Sequence, residues 1–173
     1  SYAVWGDPVR AHSGDRDPFV ARLDSNGRLQ WHTFSGGSGD NWSNSIVSTS
    51  SGDILITGYS KTSWGNPVKS HTGGELGDVF VAQLSENGNA KWHTFLGSRE
   101  ADWGFAIGLT PAGDIVSVGN SFASWGNPLR FHSGDGDAFV ALLSGEPAHI
   151  YLPLVANQIN SEEPLPTQVP IPH

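Results

Sequence analysis

The feature that most constrains this chain is an internal repeat. Trp5-Gly6-Asp7-Pro8-Val9-Arg10 returns as Trp64-Gly65-Asn66-Pro67-Val68-Lys69 and again as Trp125-Gly126-Asn127-Pro128-Leu129-Arg130. The copies lie about 60 residues apart, a period that signals a stacked or radial array of one supersecondary unit. Each copy is followed by a histidine (His12, His71, His132), a Gly-rich turn and an apolar segment. The apolar segments are 19–23, 80–84 and 139–143, and each opens Phe-Val-Ala. The gap between histidine and Phe-Val-Ala is longer in the middle copy, which predicts an inserted loop there.

Downstream, Asn26-Gly27 and Asn87-Gly88 precede Trp-His-Thr-Phe at 31–34 and 92–95. Asn-Gly between apolar runs predicts a two-residue type I′ hairpin. Trp31 and Phe34 are three apart, so in a strand they face opposite ways. A Gly-rich loop carrying Trp42 or Trp103 follows. Two further strands come next, 45–49 with 53–59 and 105–110 with 114–120, turning at Gly52-Asp53 and Gly113-Asp114. One unit is therefore four short antiparallel strands. Gly and Pro interrupt the segments too often for helices, so the fold class is all-β, with four-stranded, propeller-like blade repeats.

Composition narrows the function classes. The 173 residues carry 9 basic and 17 acidic side chains, a net charge of −8, which repels a phosphate backbone and argues against nucleic acid. No apolar run is long enough to span a bilayer as a helix. There is no cysteine, so disulfides, thiolate metal sites and thiol catalysis are excluded. Methionine is also absent and the first residue is Ser1, from which we expect a processed chain or a piece of a longer one.

Several motifs carry a family resemblance. Asp137-Ala138-Phe139-Val140-Ala141, Trp92-His93-Thr94-Phe95-Leu96-Gly97 and Gly52-Asp53-Ile54-Leu55-Ile56-Thr57-Gly58-Tyr59-Ser60 resemble the bacterial β-propeller repeat family of secreted, seven-bladed-type propellers. The Trp-Gly-Asn-Pro connectors resemble variants found in filamentous, surface-living bacteria. The resemblance covers about residues 4 to 143. It implies a repeat scaffold at an extracellular or bacterial cell-surface location and supplies no catalytic residues.

The third copy departs from the pattern. Tyr151-Leu152-Pro153-Leu154 stands where Trp-His-Thr-Phe belongs, and Pro153 confines that strand to an edge. The repeat domain is expected over 1–156, in units of about 5–63, 64–124 and a partial 125–156. A Pro-rich, extended tail over 157–173 follows. About 2.5 blades result, fewer than a closed propeller uses. Open edges invite strand pairing, so self-association into an oligomer or filament is the expected partnership, with a fragment of a longer propeller as the alternative. Ile150, Tyr151, Leu152, Leu154 and Val155 form the candidate assembly strand.

Three sets of residues suggest ligands, and each has a structural explanation. Six of the seven histidines sit at or near repeat positions (His149 near that of His32 and His93), as blade packing would produce, rather than as converging metal ligands. Asp15, Asp17, Asp135 and Asp137 are the candidate calcium ligands, but no complete calcium loop accompanies them and turns favour Asp for backbone reasons. Trp5, Trp64 and Trp125, beside Asp7, Asn66 and Asn127, are the candidate sugar-stacking residues, though a tryptophan repeated once per blade also packs between sheets. No nucleophile elbow is present, and Gly36-Gly37-Ser38-Gly39 opens no helix, so phosphate cradling is unsupported. The expected function is non-catalytic and structural or adhesive, without a cofactor, with a carbohydrate-binding module as the alternative.

Overall fold

The computed structural model describes residues 1–144. The candidate strand Ile150, Tyr151, Leu152, Leu154 and Val155, His149 and the Pro-rich tail lie outside the described residues.

The described chain is all-β. Nine strands form three antiparallel sheets. The first pairs β1 (Phe19–Leu23) with β2 (Leu29–Phe34). The second is a meander of β3 (Asn41–Ser48), β4 (Ile54–Ser60), β5 (Asp78–Leu84) and β6 (Ala90–Leu96). The third joins β7 (Asp102–Leu109), β8 (Ile115–Ser121) and β9 (Asp137–Leu143). The second sheet takes β3 and β4 from one sequence unit and β5 and β6 from the next. Sequence units and hydrogen-bonded sheets are therefore half a unit out of phase.

Two local expectations need correction. The hairpins do not close by type I′ turns centred on Asn-Gly. Gly27 N–H donates to Asp24 O at 3.0 Å and Asp24 N–H to Arg28 O at 2.9 Å, so Ser25-Asn26 are the central pair. Gly27, at φ 78°, takes the left-handed position that ends the turn. The same two bonds recur at Ser85–Asn89, Thr49–Asp53 and Thr110–Asp114. A type I turn followed by a left-handed residue tolerates any central pair, which is why only the glycine repeats in all four. Trp42 and Trp103 also lie in strands rather than loops, because β3 and β7 begin earlier than their β-branched residues suggest. The insertion of the middle copy forms a single 3₁₀ turn, Gly74–Leu76.

The sheets stack through two cores. In the first seam, Val20 meets Ile56, Phe80, Ala82, Leu84 and Phe95, with Trp31 and Trp64 packed alongside. In the second, Leu55, Val79, Val81 and Leu96 meet Ile115, Phe139, Ala141, Leu143 and Trp125. β7 lies across β3, β4 and β5. Trp31 and Trp92 belong to the seams facing forward along the stack, while Phe34 and Phe95 face backward, as the three-residue spacing requires.

Candidate functional site

Each connector is a clamp on its own sheet. Val9 N–H donates to His32 O and Phe34 N–H to Arg10 O, so the segment after Trp5 runs along β2 as an extra edge pairing. Val68 and Lys69 do the same along β6. The connector tryptophan then folds onto the sheet. Trp5 stacks on His32 with ring centroids 3.7 Å apart, and Trp64 on His93 at 3.8 Å. In both, the histidine Nε2–H donates to the tryptophan carbonyl at 2.6 Å, which fixes the tautomer. Burial holds His93 below the usual imidazole range, and the nearby Arg10 guanidinium pushes the same way, against the opposing pull of the Trp64 carbonyl. A neutral imidazole packs flat on the indole without a buried charge.

The candidate sugar-stacking tryptophans are thus placed in three settings. Trp64 has His93 on its ring and Arg10 5.8 Å from its centroid. Trp125 is buried, with Nε1–H donating to Ser121 Oγ at 3.0 Å and Lys69 5.8 Å from the ring. Trp5 is 38% exposed and edges onto Phe19. The basic residue of one connector reaches the tryptophan of the next, and among the described residues Trp5 has no such cover.

Of the candidate calcium ligands, Asp15 and Asp135 are exposed. Asp17 and Asp137 instead tie turns. Asp17 Oδ2 accepts from Ser13 N–H at 2.7 Å, and Asp137 Oδ2 from Ser133 N–H at the same distance. Among the described residues, no group of three or more His, Asp or Glu side chains is placed to hold a metal ion.

Sequence reasoning missed the two end faces of the stack. Phe80 and Leu84 are 0% and 2% exposed because Val20 and the first sheet cover them. Their repeat counterparts Phe19 and Leu23, on the outer face of the first sheet, are 48% and 55% exposed. At the other end, Val116 pairs across with Leu142, and Val118 with Val140, on the face of the third sheet turned away from its core. The counterparts of Val116 and Val140 are Leu55 and Val81, buried at 1% and 0% in the second seam. Both faces are apolar because the repeat writes the same strand each time, whether or not another sheet follows. The signal was present in the sequence as Phe19 and Val140, but only the stacking direction says which face each one serves.

β9 pairs with β8 alone among the described residues, whereas β1 and β5 each have a Trp-His-Thr-Phe strand beside them. β1 in turn lacks the neighbour that β4 gives to β5 and β8 gives to β9. No helix of the described residues is long and apolar enough to cross a membrane. No family model and no curated protein matches this chain.

Proposed function

We propose that this chain is a non-catalytic structural or adhesive module, propeller-like in its radial stacking of sheets, that associates with further copies of itself outside a bacterial cell. The observation that supports this reading is that both outer sheet faces of the described residues are apolar and uncovered. Placing Val116 and Val140 of one copy against Trp5, Phe19 and Leu23 of another would repeat the apolar part of an internal seam, where Leu55 and Val81 face Trp125, Phe139 and Leu143, while Val118 and Leu142 add apolar surface where that seam has Thr57 and Gln83. Such a contact is heterologous, head to tail, and yields a closed ring or an open filament according to its rotation. Apolar area drives it, at roughly 25 cal/mol per Å² removed from water.

A closed propeller needs more sheets than these described residues supply, and association provides them. The resemblance of the repeat motifs to secreted propeller repeats supports the extracellular cell-surface assignment. No cofactor enters this function. Light scattering tests it through Val140→Lys, which sets a charge in the middle of the outer face of the third sheet while leaving both internal seams intact. The wild type is expected to grow in mass with concentration and the variant to stay small. Equal mass for the two at every concentration would remove the end-face contact.

A further inference from the structure

The two seams are latched by one repeated pair of side chains, and the pair differs in a single atom type. At the first seam, Asn41 at the start of β3 donates from Nδ2 to Asp17 Oδ1 at 3.1 Å, and both side chains are buried. The second seam places Asp78, at the start of β5, and Asp102, at the start of β7, in the same positions, and both are 0% exposed. A Cβ built on Gly36 would meet Asp17 Oδ1 and lie 2.8 Å from Asn41 Nδ2. On Gly97, the repeat counterpart of Gly36, it would lie 3.0 Å from Asp78 Oδ1 and 2.6 Å from Asp102 Oδ2. An oxygen of Asp102 therefore occupies the place of the donor nitrogen of Asn41.

The consequence is an unmet acceptor. Asp78 Oδ2 accepts from Thr72 N–H at 2.6 Å and Asp102 Oδ2 from Ser98 N–H at 2.7 Å, yet Oδ1 of each carboxyl is buried without a partner. Ser121 Oγ lies beside Asp102, but it donates to the Ala123 carbonyl at 2.7 Å. Two ionised carboxylates this close and this buried repel strongly, and such pairs hold one proton between them. We propose that Asp78 and Asp102 share a single proton, carried on Asp102 Oδ2 and donated to Asp78 Oδ1, which makes the second seam a pH-sensitive latch. The proton restores at the second seam the bond that the Asn41 amide makes at the first.

The surrounding charges agree. Lys69, from the connector, is the cation that acts on both carboxyls, and its ammonium lies 3.5 Å from the Gly97 carbonyl. With Lys69 charged, one proton on the pair leaves the cluster neutral; a second ionisation would bury a net negative charge. Burial raises Asp102 above the ordinary 3.8, and the Asp78 charge adds to the rise, against the neighbouring Ser121 hydroxyl and the hydrogen bonds from Ser98. A carboxyl raised in the folded state gives stability that is complete below its unfolded value and is lost as pH climbs through the folded one. His93, held low, acts with the opposite sign, losing stability as pH falls below roughly 6.5. The latch is therefore read as a difference between variants that share His93.

Thermal unfolding of the full chain, from about pH 4 to about pH 8, tests this with Asp102→Asn. The variant is expected to melt about 4 °C above wild type at the alkaline end, with the gap closing towards the acid end. The reciprocal Asn41→Asp should give the first seam the alkaline loss it now lacks. A constant gap between wild type and Asp102→Asn across the range, or a variant less stable at the alkaline end, would overturn the proposal. So would millimolar calcium that stabilises wild type at the alkaline end but not Asp102→Asn, since the pair would then hold a cation instead of a proton.

Discussion

The second sheet and its two neighbours are written in nearly the same residues, yet they differ sharply in burial. Phe80, Leu84, Leu55 and Val81 in the second sheet are buried on both faces, while Phe19 and Leu23 of the first are about half exposed. The same contrast runs through β3 and β7. Ile107 packs on the core of the second seam, whereas its counterpart Ile46 is 58% exposed, because among the described residues the first sheet has no counterparts of β3 and β4 for it to pack on. Apolar character in this chain is thus a property of the repeat, and burial is a property of position in the stack. A unit that needs a neighbour on each side leaves apolar surface uncovered wherever the described residues supply none. That follows from any repeat whose unit cannot bury its faces alone.

Matched truncations break this comparison most directly. Phe80→Ala should cost about 3–5 kcal/mol in chemical denaturation, since it empties a filled core site. Phe19→Ala, the same repeat position on an uncovered face, should cost the isolated chain less than about 1 kcal/mol and weaken association instead. Equal losses at the two sites would mean that the outer face of the first sheet is buried in the isolated chain. The β3 and β7 pair sharpens the point on a smaller scale. Ile107→Ala is expected to cost about 2 kcal/mol and Ile46→Ala a few tenths, measured the same way.

The smallest effect concerns the clamps. His93→Phe keeps a flat ring on Trp64 but removes the titrating imidazole and its bond to the Trp64 carbonyl. Acidification below about pH 6.5 should then destabilise the variant less steeply than wild type, in melting temperature against pH. An unchanged acid slope would place that sensitivity elsewhere.

Much of this architecture was legible along the chain. Period-2 apolar segments bounded by Gly and Asn located the strands of every sheet, and the offset between Trp31 and Phe34 correctly assigned them to opposite faces. The repeat also marked the connector tryptophans as packing residues, although their partners, His32 and His93, could be named only once the chain was folded. Three things were not readable. A periodic sequence has no phase, so it could not say that β3 and β4 belong with β5 and β6. Turn type depends on which carbonyl accepts the Gly27 amide, and Asn-Gly is compatible with more than one answer. The latch residues Asn41 and Asp102 sit next to the conspicuous Trp42 and Trp103, and a single polar difference there acquires meaning only when Asp17 and Asp78 are brought beside them.

The proposed association rests on the uncovered apolar sheet faces of the described residues. Sedimentation velocity over a wide concentration series measures it with the fewest assumptions, against a monomer of 18.4 kDa. Association through these faces gives a sedimentation coefficient that rises with concentration towards a ring of defined mass or an unbounded series. A single boundary at the monomer mass throughout that series would contradict it.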